Sequence, residues 1–146
     1  MWGQNLNIML TRMGEGAIYF LLGLIVMLLG RLIWNLITRY DSNREIGDKD
    51  NISAGIAEFG FLIALAIIIW GSIKQDRGDI HLEIDLVISF LYSIFGLICL
   101  TIGKFFLDLI TPFKLDKEIE EDKNQAAGWL QAGFYIGVAI IVQAVI

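Results

Sequence analysis

The sequence predicts an all-α, polytopic integral membrane protein, with four transmembrane helices arranged as two tandem parallel-repeat helical hairpins. Three observations lead there. Hydrophobic residues make up 56% of the 146-residue chain, which has only one proline, and the mean hydropathy is +0.66, all beyond the usual range for a soluble domain. Four stretches, near 16–38, 52–73, 84–111 and 125–146, reach the roughly 20 apolar residues that a hydrocarbon core about 30 Å thick requires. Shifting the chain by 73 residues, half its length, aligns its two halves without a gap.

In chain order, residues 1–15 are expected to form an N-terminal interfacial segment, either lying along the membrane surface as a short amphipathic helix or fraying as a tail. Trp2, Leu6, Met9, Leu10 and Met13 recur there at helical spacing, and the segment has neither the basic n-region nor the short apolar run of a cleavable leader. Residues 16–73 form the first hairpin, 74–83 a short connecting loop and 84–146 the second hairpin. Within each hairpin a polar loop, TRYDSNREIGDKDN or TPFKLDKEIEEDKN, ends in an asparagine suited to cap the following helix. Duplication of a two-helix unit preserves its orientation, so both loops belong on one face of the membrane. Arg39, Arg44, Lys49, Lys114, Lys117 and Lys123 lie on that face, against Arg12, Lys74 and Arg77 on the other. Positive-inside counting places the loops in the cytoplasm and both termini outside it.

The repeat aligns EIGDKDNISAG with EIEEDKNQAAG, so that Glu45, Asn51 and Gly55 meet Glu118, Asn124 and Gly128. This E-I-x(4)-N-x(2)-A-G signature, present twice in a twofold hairpin, resembles the bacterial YjfL-like membrane proteins of domain of unknown function 350. The resemblance implies a four-helix protein of the bacterial inner membrane. It also implies gene neighbours of the phage-shock envelope-stress type and enzymes like glutathionylspermidine synthase. It supplies no established activity and no functional residue.

Polar residues inside the spans also obey the repeat. Arg31, Asn35 and Glu58 occur in the first hairpin and Lys104, Asp108 and Gln131 in the second. Each set holds one cation, one acid and one amide. Arg31 and Glu58 each lie seven residues from the loop-side end of their helix, about 10 Å deep. A charge at mid-bilayer costs about 2.5–3.5 kcal/mol even on the lenient insertion scale, so these groups are expected to face one another or water. Arg31 is expected to pair with Glu58. Lys104 is expected to pair with Asp108 at i,i+4, with Gln131 in support. The sequence leaves three roles open: a structural clasp, a constriction on an ion path, or cations snorkelling to the interface.

Small residues form a second constellation. Gly23 and Gly30, like Gly96 and Gly103, are seven apart, while Gly60 with Ala64 and Gly133 with Gly137 make small-xxx-small pairs. Such faces bring helices together in lipid, within the chain or between copies of it.

No catalytic signature appears in the sequence. His81, beside Asp79, Glu83 and Asp85, lacks metal-ligand spacing, and Cys99 sits alone among apolar residues, so neither a metal nor another cofactor is expected. Acidic residues at Asp48, Asp50, Glu118, Glu120, Glu121 and Asp122 argue against nucleic acid and would suit a basic peripheral cytoplasmic protein. The expected partners are the lipid bilayer, a second copy of the chain and such a protein. The function expected is that of a non-enzymatic, homo-oligomeric membrane subunit linked to envelope stress. The alternative is a small channel or pore-forming effector.

Overall fold

The computed structural model describes residues 2–74 and 81–146, so most of the expected connecting loop, with Arg77 and Asp79, lies outside the described residues. Among the described residues six helices follow in order: α1 Trp2–Ile37, α2 Ser42–Gly47, α3 Ile52–Lys74, α4 Leu82–Ile110, α5 Leu115–Glu120 and α6 Gln125–Val145. α1, α3, α4 and α6 are long and apolar enough to cross a membrane. The expected four-span, all-helical architecture is what the chain adopts.

The 73-residue repeat governs backbone geometry as well as sequence. α1 and α4 end at Ile37 and Ile110, α2 and α5 begin at Ser42 and Leu115, and α3 and α6 begin at Ile52 and Gln125. Asp50 and Lys123, also one repeat apart, both take the left-handed conformation, with φ of 50° and 49°. In each half the next residue folds back in the same way: Asn51 N–H donates to Glu45 O and Asn124 N–H to Glu118 O, both at 2.9 Å. The loop helices α2 and α5 were not legible from periodicity, because each has six residues and no apolar face long enough to show.

α3 and α6 form the central pair and run parallel. Contacts progress together along both, from Ser53 against Gly128, through Gly60 against Ala132, to Gly71 against Gln143. Only glycine permits the approach at Gly60, where a Cβ would lie 2.3 Å from the Ala132 Cα. The outer helices pack antiparallel on their hairpin partners through equivalent glycines, Gly30 against Phe61 and Leu65 and Gly103 against Phe134 and Val138. Trp34, Phe61 and Tyr135 fill the loop-side core, with ring centroids 4.9–5.8 Å apart. At the other end, buried Ser72 and Ser93 hydroxyls meet at 2.9 Å and tie α3 to α4, while Tyr19 bonds Asp85 to tie α1 to α4. Leu36 and Leu109, 82% and 79% exposed at equivalent positions, mark the faces turned to lipid.

The N-terminal segment differs from its expected form. It is not a separate interfacial helix but the first part of α1, whose 36 residues rise about 54 Å, well beyond a hydrocarbon core. Leu6, Met9, Leu10 and Met13 are all more than half exposed, while the Trp2 side chain lies outside the described residues.

Candidate functional site: polar clusters beneath the loop helices

The intramembrane charges are tied to the loop helices. In the first repeat Arg31 Nε donates to Glu58 Oε1 at 3.0 Å, and Arg31 Nη2 donates to Asn43 Oδ1 of α2 at 2.8 Å. Ser42 of α2 donates its hydroxyl to Glu58 Oε2 and receives the Trp34 indole N–H at 3.2 Å. Glu58 is therefore buried but fully engaged, while the Arg31 side chain is 51% exposed and reaches toward the loop. Clasp and snorkel are combined in one residue.

In the second repeat Lys104 Nζ is 2.9 and 3.1 Å from the two Asp108 oxygens and 2.8 Å from Asp116 Oδ1 of α5. Lys104 and Asp116 are buried, and Asp108 remains a third exposed. Asp116 corresponds to Asn43, so the same loop position engages the same intramembrane cation in both halves. The expected balance of one cation to one acid fails here, because α5 brings a second carboxylate. Lys104 faces a formal charge of minus two, against the single carboxylate of Glu58 facing Arg31.

Neither amide joins the ion pairs, contrary to the support expected of Gln131. Gln131 is fully buried beside the Tyr135 hydroxyl, and neither its Nε2 nor its Oε1 makes a well-formed hydrogen bond among the described residues. Asn35 Oδ1 is likewise buried without a partner among the described residues. Geometry explains this. Arg31 reaches across to Glu58 and up to Asn43, leaving Asn35 one turn along its own helix unused.

Above the clusters the loop motif locks the two repeats together. Asn51 Oδ1 caps α3 by accepting from Ser53 and Ala54 N–H, and its Nδ2 donates to Glu45 Oε2 at 3.0 Å and to Ile119 O of the other repeat at 2.8 Å. Asn124 caps α6 through Ala126 N–H and donates to Glu118 Oε2 at 2.9 Å. Ser53 Oγ to Asn124 O, at 2.6 Å, and Lys123 Nζ to Lys49 O, at 3.0 Å, complete the seam. Burial pushes the Glu45 carboxyl up, but hydrogen bonds from Asn51 and Lys49 and the charges of Lys49 and Lys123 outweigh it and hold the group below its ordinary range. Burial, and then the neighbouring Asp116 carboxylate, pushes the Tyr40 phenol well above its ordinary value.

The twice-used loop motif and four-span architecture coincide with a known family. The model of the family described as Domain of Unknown Function (DUF350) matches residues 7–146. The chain belongs to the DUF350 family. It is also similar to the UPF0719 transmembrane protein YshE of Bacillus subtilis (strain 168), with 29% identity over 131 residues covering 89% of this chain and 91% of the relative. No solved structure matches it.

Among the packing glycines of this DUF350 chain, Gly23, Gly30, Gly60, Gly96 and Gly103 lie against side chains or backbone of neighbouring helices. Gly133 and Gly137 do not: a Cβ at either would meet nothing within 4 Å. Gly128, noted only as part of the loop motif, is a tight contact, where a Cβ would lie 2.6 Å from Ser53 O, while its counterpart Gly55 is open. Ser42, Asn43 and Asp116 are the site residues that the sequence reading missed. Their signal was the repeat itself, since Asn43 and Asp116 share a column that exchanges amide for acid, as Asn35 and Asp108 do. His81 stands before α4 without a side-chain cap bond, and no cluster of metal-ligating side chains occurs among the described residues.

Proposed function

We propose that this membrane protein is a non-enzymatic, homo-oligomeric scaffold of the bacterial inner membrane. Its paired loop helices form a cytoplasmic platform for a basic protein partner. The observation that carries this reading is the direction of the polar contacts: both intramembrane cations end on a loop helix, Arg31 on Asn43 and Lys104 on Asp116. Charges arranged in this way hold a surface in register with the spans. The α3–α6 approach at Gly60 and Ala132 supports a dry interior rather than a lumen.

Two further features fit a scaffold. Gly133 and Gly137, unused within the chain, offer a close-approach face to a second copy. Asp48, Asp50, Glu121 and Asp122 are exposed on the platform, interspersed with the exposed cations Arg44, Lys49, Lys117 and Lys123, and offer carboxylates to a basic partner. The gene neighbours that the family resemblance implies support an envelope-stress setting.

The test pairs assembly with conductance. Purified protein should run as an oligomer by mass photometry and carry no current in a planar bilayer, and Arg31→Gln and Lys104→Gln should lower stability and oligomer yield. Reproducible single-channel currents altered by either substitution would overturn the scaffold in favour of the channel.

A further inference from the structure

A cleft of about 260 Å³ opens where α4 gives way to α5, and its walls differ in charge. Asp108 and Asp116 form the inner wall, Arg39 and Lys114 stand at the rim, and Thr111 and Phe113 are also part of the lining. The inner carboxylates share a single cation, Lys104, leaving one negative charge in excess. Arg39 and Lys114 are exposed and make no ion pair among the described residues.

The position of the cleft identifies its surroundings. Leu109 and Ile110, 79% and 69% exposed, turn apolar faces outward immediately below it, and Phe113 is exposed at its edge. The boundary between lipid-facing and charged surface therefore runs through the cleft, at the level of phospholipid headgroups. Its volume falls below the roughly 300–1,000 Å³ of pockets for drug-sized ligands, which suits a small polar group.

We propose that this cleft binds a phosphoethanolamine phospholipid headgroup, taking the ammonium on Asp108 and Asp116 and the phosphodiester on Arg39 and Lys114. The separation of charge favours this ligand over an anionic headgroup. The excess negative charge is on the least solvated wall, where screening is weakest and an added cation gains most. The exposed rim cations act through water and need only meet a phosphate. A primary ammonium also donates charge-assisted hydrogen bonds to carboxylates, which a trimethylated ammonium cannot. The equivalent surface of the first repeat has Asn35 and Asn43 in place of the two acids, so the site exists once per chain.

The experiment measures lipid binding to the full-length protein in detergent, by native mass spectrometry and thermal shift. It uses dioleoyl lipids with ethanolamine, choline or glycerol headgroups. The ethanolamine lipid should bind on the order of tenfold tighter than the other two, the scale of one charge-assisted hydrogen bond. Asp108→Asn, in which Lys104 keeps Asp116 as its counter-ion, should erase that preference, and Arg39→Gln should weaken all three. Soluble glycerophosphoethanolamine should compete only at far higher concentration, since it lacks acyl chains. Equal binding of the ethanolamine and choline lipids by the wild-type protein would overturn the proposal whether or not the variants fold. Tighter binding of the glycerol lipid, a preference that survives Asp108→Asn, or competition by the soluble headgroup at lipid-like concentration would do the same.

Discussion

Asn51 and Asn124 occupy one position in the two repeats, yet Asn51 also crosses the seam, its Nδ2 lying 2.8 Å from Ile119 O. Each asparagine caps a helix and holds a glutamate six residues earlier. Asn51 is almost fully buried and Asn124 only partly so. Replacing Asn51 with alanine strands the buried Ile119 carbonyl and removes one of two side-chain partners from the buried Glu45 carboxylate, which keeps Lys49, and should cost about 2–3 kcal/mol, against about 1 kcal/mol for Asn124→Ala. Thermal unfolding in detergent measures both. Equal losses would mean that the inter-repeat bond contributes nothing.

Glu45 gives this seam a pH dependence. Its carboxyl is held below the ordinary glutamate range in the folded protein, so the stability it contributes is fully present above the unfolded value of about 4.3. That contribution is lost as pH falls through the lower folded value, because the unfolded chain then binds the proton more readily. Between pH 7 and pH 3 the wild-type midpoint should fall further than that of Glu45→Gln. Parallel profiles would show that Glu45 titrates alike in both states.

The first clasp makes a charge-rescue prediction. Glu58→Gln leaves Arg31 with only Asn43, and should cost about 1–2 kcal/mol. This is less than the roughly 3–5 kcal/mol of a fully buried broken pair, because half of the arginine side chain is exposed. Adding Asn43→Asp copies the Asp116 arrangement, in which a loop-helix carboxylate takes the intramembrane cation at 2.8 Å. The double variant should recover at least half of the lost stability. No recovery would show that charge balance is not what holds the clasp.

The spans, the repeat and the Arg31–Glu58 pair were legible because each rests on composition or on helical spacing within one long element. Asn43 and Asp116 were not, since their role depends on α2 and α5, helices too short for their apolar pattern to register. The balanced-charge expectation failed for the same reason: a carboxylate outside the spans reaches down to Lys104. Gly133 and Gly137 show a different limit. A small-xxx-small pair indicates close approach, but spacing alone does not say whether the approaching helix belongs to the same chain. Gly60 and Gly133 are one repeat apart and face opposite surroundings, because α3 is the helix with neighbours on most sides.

The parallel repeat also fixes a topological prediction. Asp48 and Glu121 are exposed and equivalent, one repeat apart in their loops, whereas Ser42 and Leu115 are buried and unsuited to labelling. Single cysteines at Asp48 and Glu121, in a Cys99→Ser background, should give matching reactivity toward an impermeant thiol reagent. Both should be protected in intact cells and label after permeabilisation. Labelling of one without the other would contradict the shared face, while labelling of both in intact cells would invert the orientation.

The sharpest contrast lies between Gly60 and Gly133, identical residues at identical repeat positions. A methyl group at Gly60 would lie 2.3 Å from backbone of Ala132, so Gly60→Ala must push the central α3–α6 pair apart. Overpacking of this kind costs about 1–3 kcal/mol, more than the gain of about 1 kcal/mol in helix propensity. A methyl group at Gly133 meets nothing, so Gly133→Ala keeps the propensity gain and should leave the midpoint unchanged or slightly raised. Gly133→Leu then separates fold from assembly. Its side chain projects where a second copy would approach, and it should lower the oligomer mass by mass photometry while helicity and monomer stability hold. An unchanged oligomer with Gly133→Leu would remove this face from the interface, and a loss of stability with Gly133→Ala would place it inside the bundle after all.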